Sequence, residues 1–247
     1  MIKTLLFDLD DTLLGNEVDV FMNRYFALLS AYAGQRFDEK SFMSHLLQAT
    51  RAMIQDTNPD LTNAQVFWNL FEQLSGGRRA DLEPFFEHFY ETEFIRLKSS
   101  TSLRPAAAAV VRSALDRGLS VVVATNPLFP RAAIEQRLEW AGLPVSEFDF
   151  ALVTAYENMH AAKPQPSYYH EILAAVGAEP DGALMVGDDW KNDIAPAAEV
   201  GLFTYWIAPD DATPLDPALL NGRGSLDDLA AQVADGWLEQ LGATAVA

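Results

Sequence analysis

The chain has 247 residues, of which 49% are apolar, and a formal net charge of −18. Its length suits one large domain or a domain with a sizeable insertion, and its apolar content argues against a disordered chain. The strong negative charge disfavours nucleic acid and anionic membranes as partners, and the absence of cysteine excludes disulfides and thiolate metal sites.

The sequence shows no targeting or membrane segment. The first predicted strand starts at Ile2, which leaves no room for a signal peptide. No apolar stretch approaches the roughly 20 residues needed to span a bilayer. We therefore expect a cytoplasmic protein.

The first predicted elements are a short strand and a long helical segment. Residues 2–7 form an apolar run typical of a strand that is covered on both faces. From about residue 15 to 100 no strand pattern occurs, and apolar side chains recur at helical spacing. Ten of the fifteen phenylalanines lie between residues 21 and 94, enough aromatic surface for a small core. We predict an all-helical domain inserted after the first strand.

The rest of the chain alternates between strand and helix patterns. The further predicted strands are 119–124, 148–154, 183–186 and 202–207, and the helices between them are 106–117, 130–141, 167–176 and 191–200. Such alternation predicts an α/β fold with a Rossmann-like parallel sheet and helices on both faces. Ser225 is expected to open a last amphipathic helix that runs through Trp237 and Leu241.

Polar residues gather at the ends of these predicted strands. Those that follow a strand, or lie in the connection after one, are Asp8, Asp10, Thr125, Asn126, Lys163, Asp188 and Asp189. In an open parallel sheet, ligands bind beyond the carboxyl ends of the strands, so these side chains should converge at one edge. Converging carboxylates repel one another unless a cation lies among them, and oxygen ligands suit Mg²⁺.

Four short motifs in this order resemble those of a known superfamily. They are DLDDT (8–12), VVVATN (121–126), KPQP (163–166) and GDDWKND (187–193). Each motif alone is common, but four in order at predicted strand ends are specific, and the match spans the whole chain. The chain is identified as a member of the haloacid dehalogenase superfamily, in the subfamily with a helical cap inserted after the first strand.

This resemblance implies a domain organisation and an activity. Residues 1–14 and 101–247 would form the Rossmann-like catalytic core, and residues 15–100 the helical cap. The implied activity is that of a Mg²⁺-dependent phosphatase, which hydrolyses a small phosphorylated metabolite through an aspartyl-phosphate intermediate.

The resemblance also implies roles for individual side chains in catalysis and phosphate binding. Asp8 matches the nucleophile, and Asp10 matches the general acid that protonates the leaving alcohol and then activates water. Thr125 and the backbone amide of Asn126 match the phosphate-binding group. Lys163 matches the lysine that contacts both the phosphate and the nucleophile.

The implied magnesium site is made of oxygen atoms from the first and fourth motifs. Its ligands would be Asp8, the carbonyl oxygen of Asp10, and Asp188. Asp193 and Asp189 are expected beside these ligands rather than on the metal.

Other functions on the same fold remain open to different degrees. A sugar-phosphate mutase shares the core chemistry and stays an alternative. A dehalogenase is disfavoured because its reaction needs no acid such as Asp10. A phosphonate hydrolase needs a cap lysine, and Lys40 and Lys98 are the only lysines between residues 15 and 100. A non-catalytic binding protein is disfavoured because the motif residues are intact. The substrate and the oligomeric state cannot be inferred from the sequence.

Overall fold

The structure is a computed structural model that describes residues 1–244. Its strands are β1 (Thr4–Phe7), β2 (Leu14–Asn16), β3 (Thr101–Leu103), β4 (Ser120–Val123), β5 (Leu152–Val153), β6 (Ala183–Gly187), β7 (Phe203–Ile207) and β8 (Gly222–Gly224). Its α-helices are α1 (Val18–Ala33), α2 (Glu39–Gln55), α3 (Asn63–Ser75), α4 (Arg79–Thr92), α5 (Pro105–Asp116), α6 (Arg131–Trp140), α7 (Pro166–Val176), α8 (Ala195–Val200), α9 (Leu226–Ala234) and α10 (Trp237–Thr244). None of the helices within residues 1–244 is long and apolar enough to cross a membrane.

Six parallel strands form the central sheet in the order β5-β4-β1-β6-β7-β8. Because side chains alternate along a strand, the two faces of the sheet bury different sets. In β1, Leu5 and Phe7 join the apolar cluster that includes α5, α6 and α9, whereas Leu6 joins the cluster that includes α7 and α8. The predicted α/β fold, with a Rossmann-like parallel sheet covered on both faces, is confirmed.

Four long helices and a 3₁₀ segment, residues 18–100, lie between β2 and β3, and we call them the helical insertion. β2 and β3 pair antiparallel, so the two connections to the sheet run side by side as a short ribbon. Inside the insertion, aromatic rings pack in edge-to-face and stacked pairs such as Phe42 with Phe71 and Phe37 with Phe86. The phenylalanine-rich sequence thus builds a small aromatic core.

Three element predictions differ from the structure. The predicted strand 148–154 is reduced to two residues, Leu152–Val153. The predicted single helix from Ser225 through Leu241 is wrong, because Gly236 adopts a left-handed φ of 84° and divides it into α9 and α10. The predicted helix 191–200 begins as a π-helical turn, Trp190–Ile194, before α8.

Candidate active site

Strand register brings the predicted site residues to one edge of the sheet. Phe7, the last residue of β1, is level with Val123 of β4 and Val186 of β6. The backbone amide of Asp8 donates to the carbonyl of Val186 (2.9 Å), so the chain stays paired as it leaves β1. Residues that follow the three central strands therefore meet above the sheet, as the sequence predicted.

A buried lysine connects two aspartates at this edge. Lys163 Nζ donates to Asp8 Oδ1 (2.7 Å) and to Asp193 Oδ1 (2.5 Å), and all three side chains are almost fully buried. The amide of Asp189 donates to the other oxygen of Asp193 (3.0 Å). Gly187 is required here, because a Cβ at this position would overlap the Asp193 carboxylate. Lys163, which Asp193 holds in place, therefore fixes the orientation of Asp8.

Burial and neighbouring charges both shift the pKa values of Asp8, Asp193 and Lys163. Burial raises the pKa of Asp8 to about 7; Lys163 opposes this, and Asp193 and Asp10 add to it. Burial also raises the pKa of Asp193. Burial by itself would lower the pKa of Lys163, but Asp193 and Asp8 outweigh it, so the pKa of Lys163 is raised well above its ordinary value. The lysine is a permanent cation, and the carboxylates repel one another.

Asp188 completes a cluster of three carboxylates. One carboxylate oxygen from each of Asp8, Asp188 and Asp193 lies within 4.8 Å of the others. Asp188 accepts a hydrogen bond from Thr12 Oγ1 (3.2 Å), and among the described residues it forms no ion pair. Burial, followed by the charges of Asp8 and Asp11, raises its pKa to about 7. Three repelling hard oxygen donors of this kind fit a small divalent cation such as Mg²⁺.

The predicted phosphate-binding residues lie beside this cluster. Thr125 is buried, and its carbonyl oxygen accepts hydrogen bonds from Thr154 Oγ1 (2.7 Å) and the Tyr168 hydroxyl (2.8 Å). Asn126 Oδ1 accepts from the backbone amide of Lys163 (3.3 Å). The loop after β4 is therefore held to the loop that carries Lys163, and the sequence did not reveal the part that Tyr168 plays.

Asp10 points its carboxylate at a different set of partners. Its Oδ2 accepts from Arg137 Nη1 (2.5 Å), and its Oδ1 accepts from Asn16 Nδ2 (3.0 Å). The guanidinium of Arg137 is 1% exposed and lies over the ring of Phe129, 4.7 Å from the centroid. The carboxylate of Asp10 is not part of the three-aspartate cluster, although Asp10 follows Asp8 by only two residues.

Sequence reasoning missed Arg137, although the sequence carries a signal for it. Ala133, Ile134 and Leu138 are buried on the same helix, so Arg137 falls in a helical pattern that predicts an apolar side chain. A charged residue on such a buried face needs a partner. Which carboxylate supplies it depends on tertiary packing, since Arg137 and Asp10 are 127 residues apart.

Two further acidic residues of the motifs, Asp11 and Asp189, lie outside the cluster. Asp189 is exposed and accepts from the backbone amides of Lys191 (2.8 Å) and Asn192 (3.0 Å), which caps the turn that follows β6. Asp11 adopts a left-handed φ of 53° and forms an ion pair with Arg104 beside β3. Asp193, predicted beside the metal ligands, contributes an oxygen to the cluster itself.

Comparisons with known proteins show the family to which the chain belongs. The sequence matches the model of the haloacid dehalogenase-like hydrolase family over residues 2–201. The chain therefore belongs to the haloacid dehalogenase-like hydrolases. The family match confirms the superfamily that the four motifs indicated.

Two curated relatives match this haloacid dehalogenase-like hydrolase over most of its length. Phosphoserine phosphatase of Thermus thermophilus is 28% identical over 234 residues, which cover 83% of this chain and 88% of the relative. Pyrophosphatase PpaX of Bacillus cereus is 26% identical over 211 residues, 84% of this chain and 83% of the relative. Among solved structures, the HAD phosphatase from Thermococcus onnurineus has a TM-score of 0.56 at 22% identity, covers 94% of this chain and 98% of its own, and shares the fold.

Proposed function

We propose that this hydrolase is a Mg²⁺-dependent phosphatase that acts on a small phosphorylated metabolite through an aspartyl-phosphate on Asp8. The observation that carries the proposal is the ion-paired contact of Lys163 with Asp8 and Asp193, with Asp188 in the same cluster. When its carboxylates are ionised, this group has a net charge of −2. A divalent cation would neutralise it, and the lysine would remain available to contact a phosphate oxygen.

The side chains fit a two-step displacement. An oxygen of Asp8 attacks phosphorus, the bond from phosphorus to the ester oxygen breaks, and Asp10 gives a proton to the leaving alcohol. Asp10 then takes a proton from water as the water attacks phosphorus, which releases phosphate and restores Asp8. Lys163 stabilises the ionised form of the nucleophile, and Thr125 and Asn126 orient the transferring group.

Asp8, Asp188 and the carbonyl oxygen of Asp10 would hold Mg²⁺. Both oxygens of Asp193 already accept hydrogen bonds, from Lys163 and from the amide of Asp189, so Asp193 would support the site rather than bind the ion. Asp189 would support it by capping the turn after β6. When bound, Mg²⁺ would neutralise charge that develops on the phosphoryl oxygens. The raised pKa values of Asp8 and Asp188 support this assignment, because they reflect carboxylates that burial and mutual repulsion disfavour in the absence of a cation. The names of the two relatives, a phosphoserine phosphatase and a pyrophosphatase, support phosphoryl chemistry.

The helical insertion would act as a cap that limits the substrate to small molecules. We assign residues 15–100 to this cap and residues 1–14 and 101–247 to the catalytic core, of which residues 245–247 lie outside the described part of the chain. The backbone amides of Asn63 and Ala64, at the start of α3, donate to the carbonyls of Met159 and Tyr156 (both 2.7 Å). These carbonyls belong to the same connection that carries Lys163. A covered site of this kind excludes a folded protein substrate.

Phosphate release from p-nitrophenyl phosphate, measured with Mg²⁺ and with excess EDTA, tests the proposal. We expect turnover only with Mg²⁺ and its recovery when Mg²⁺ is restored. Full activity in EDTA, with metal removal verified by elemental analysis, would rule out the proposed mechanism. Release of phosphate by an Asp8→Asn variant at the wild-type rate would do the same.

A further inference from the structure

The helical insertion and the core together line an apolar cavity of about 120 Å³, which is partly open to solvent. α1, α2, α3 and α4 supply most of the wall, and the core completes it with Leu128, Phe129, Pro130 and Tyr156. Engineered apolar cavities of about 150 Å³ stay dry and take up benzene, so this cavity is close to the size of one ring.

The cavity and the candidate site share two loops. Leu128 lies two residues after Asn126, in the loop that follows β4, and Tyr156 lies in the connection that carries Lys163. Trp68 of α3 donates from Nε1 to the Tyr156 hydroxyl (3.3 Å), which fixes this boundary. The loops that border the cavity thus also carry the proposed phosphate-binding residues.

The residues that line the cavity disfavour a negatively charged ligand. Aromatic rings such as Phe42, Trp68 and Phe86 dominate it, and none of the described residues that line it is a lysine or an arginine. Two acidic residues, Glu83 and Glu87, also line the cavity, and Glu87, which forms no ion pair among the described residues, repels anions. Arg79, which lies over the ring of Trp68, is paired with Glu83 (2.7 Å). An apolar group would gain from burial there, whereas a carboxylate or a second phosphate would lose its hydration without a partner.

We propose that this cavity binds the ring-sized apolar body of the substrate's leaving alcohol while the phosphate lies on the core. The inference rests on the proposed phosphatase function and narrows its substrate class to monoesters of apolar or aromatic alcohols. Serine carries a carboxylate and inorganic phosphate is an anion, and no lysine or arginine among the described lining residues could pair with either leaving group.

Four monoesters of primary alcohols separate size, charge and apolar character: 2-phenylethyl phosphate, ethyl phosphate, glycerol phosphate and phosphoserine. We expect kcat/KM for 2-phenylethyl phosphate to exceed that of each other ester by roughly tenfold to a hundredfold, because burial of its phenyl ring in the cavity is favourable. Equal or higher kcat/KM for phosphoserine or ethyl phosphate would overturn the proposal.

Two variants on α2 localise the effect. Thr50 lines the cavity, and Thr50→Trp should reduce the ratio of kcat/KM for 2-phenylethyl over ethyl phosphate to near one. Arg51 is exposed, so Arg51→Trp should keep the ratio. An equal loss in both variants, or in neither, would contradict the assignment.

A binding measurement does not depend on turnover. The product alcohol, 2-phenylethanol, should raise the Tm of the wild-type protein in a saturable way, and Thr50→Trp should abolish this rise. No rise in the wild type would overturn the cavity assignment. If the rise occurs but none of the esters is hydrolysed, the proposed phosphatase function fails and the cavity assignment stands.

A separate observation concerns Arg137. Among the described residues, Asp10 is its one carboxylate partner, and its Nη2 is buried with no hydrogen-bond partner. Asn16, the other partner of Asp10, likewise has a buried and unpaired Oδ1. Burying a polar atom without a hydrogen-bond partner is costly. The structure assigns Arg137 as a positioning residue that sets where the carboxyl group of Asp10 lies.

A double-mutant cycle tests this assignment, which also rests on the proposed function. If Arg137 acts through Asp10, Arg137→Met should raise the ratio of kcat/KM for p-nitrophenyl over ethyl phosphate by roughly tenfold or more, since only the poor leaving group needs a placed acid. Arg137→Met should then have little further effect on that ratio in an Asp10→Asn background. Arg137→Lys, which keeps the charge, should raise this ratio less than Arg137→Met does.

A merely structural role gives a different result. In that case Arg137→Met would lower kcat/KM for both esters by the same factor, and its effect would be just as large in the Asp10→Asn background. Either outcome would overturn the assignment. If Asp10→Asn itself leaves the ratio unchanged in an active enzyme, the acid role proposed for Asp10 fails, which is distinct from failure of the Arg137 assignment.

Discussion

Replacing Asp188 with asparagine should stabilise the metal-free protein while removing its response to Mg²⁺. Asp188 has a folded pKa of about 7, against an ordinary value of 3.8. Between these values the folded protein holds a proton that the unfolded chain has released. The contribution of this group to the free energy of unfolding is therefore complete below pH 3.8 and is lost as pH rises through about 7. Asparagine carries no charge and avoids this loss.

The size of the effect follows from the shift and from exposure. A shift of about three pKa units corresponds to at most about 4 kcal/mol. Because Asp188 is partly accessible to solvent, screening reduces this to about 1–2 kcal/mol. For a chain of this size, 1 kcal/mol shifts Tm by about 2–4 °C, so we expect a gain of about 2–8 °C at pH 8.5 and little gain near pH 4.

Thermal unfolding in EDTA and in excess Mg²⁺ measures both parts of this prediction. Wild type should gain stability with Mg²⁺, by about 2.7 kcal/mol at a hundred times the dissociation constant, and Asp188→Asn should gain much less. Asp211→Asn is a matched control, because Asp211 is exposed and lies outside the cluster. The reasoning is refuted if Asp188→Asn is no more stable than wild type in EDTA at pH 8.5, or if it keeps the full shift with Mg²⁺.

Other substitutions and substrates test the remaining parts of the site. Asp10→Asn should slow ethyl phosphate by about 10²–10⁴-fold and p-nitrophenyl phosphate by less, and an equal slowing with phosphoryl transfer rate-limiting would disprove the acid role. Lys163→Met should destabilise the protein by about 3–5 kcal/mol in urea unfolding, since it leaves Asp8 and Asp193 buried without their cation; an unchanged midpoint would contradict the buried ion pairs. A folded phosphoprotein should have a lower kcat/KM than small monoesters, and a higher value would refute the cap assignment.

The sequence predicted those parts of the molecule that repeat a simple pattern. Buried parallel strands read as apolar runs, so β1, β4, β6 and β7 were found close to their observed bounds. The edge strand β8, with the sequence Gly-Arg-Gly, has no such run and was missed. Asp8, Lys163 and Asp188 were predicted to meet because the carboxyl ends of parallel strands share one edge, and the structure brings them together.

Features that depend on tertiary packing could not be predicted from a sequence pattern. Arg137 approaches Asp10 from a helix 127 residues away, and the apolar cavity takes its shape from four helices and two loops. The left-handed Gly236 that divides the last predicted helix was present in the sequence, but a single glycine inside a helical pattern is often tolerated.

Trapping of a covalent intermediate on Asp8 tests the central claim most directly. Wild-type protein mixed with a ³²P-labelled monoester and Mg²⁺, and quenched in acid within milliseconds, should carry label on the peptide that contains Asp8. The label should be absent from Asp8→Asn and absent in EDTA, and it should be sensitive to hydroxylamine, as an acyl phosphate is. Turnover of the ester with no label on any peptide under these conditions, or label on a residue other than Asp8, would contradict the proposed mechanism.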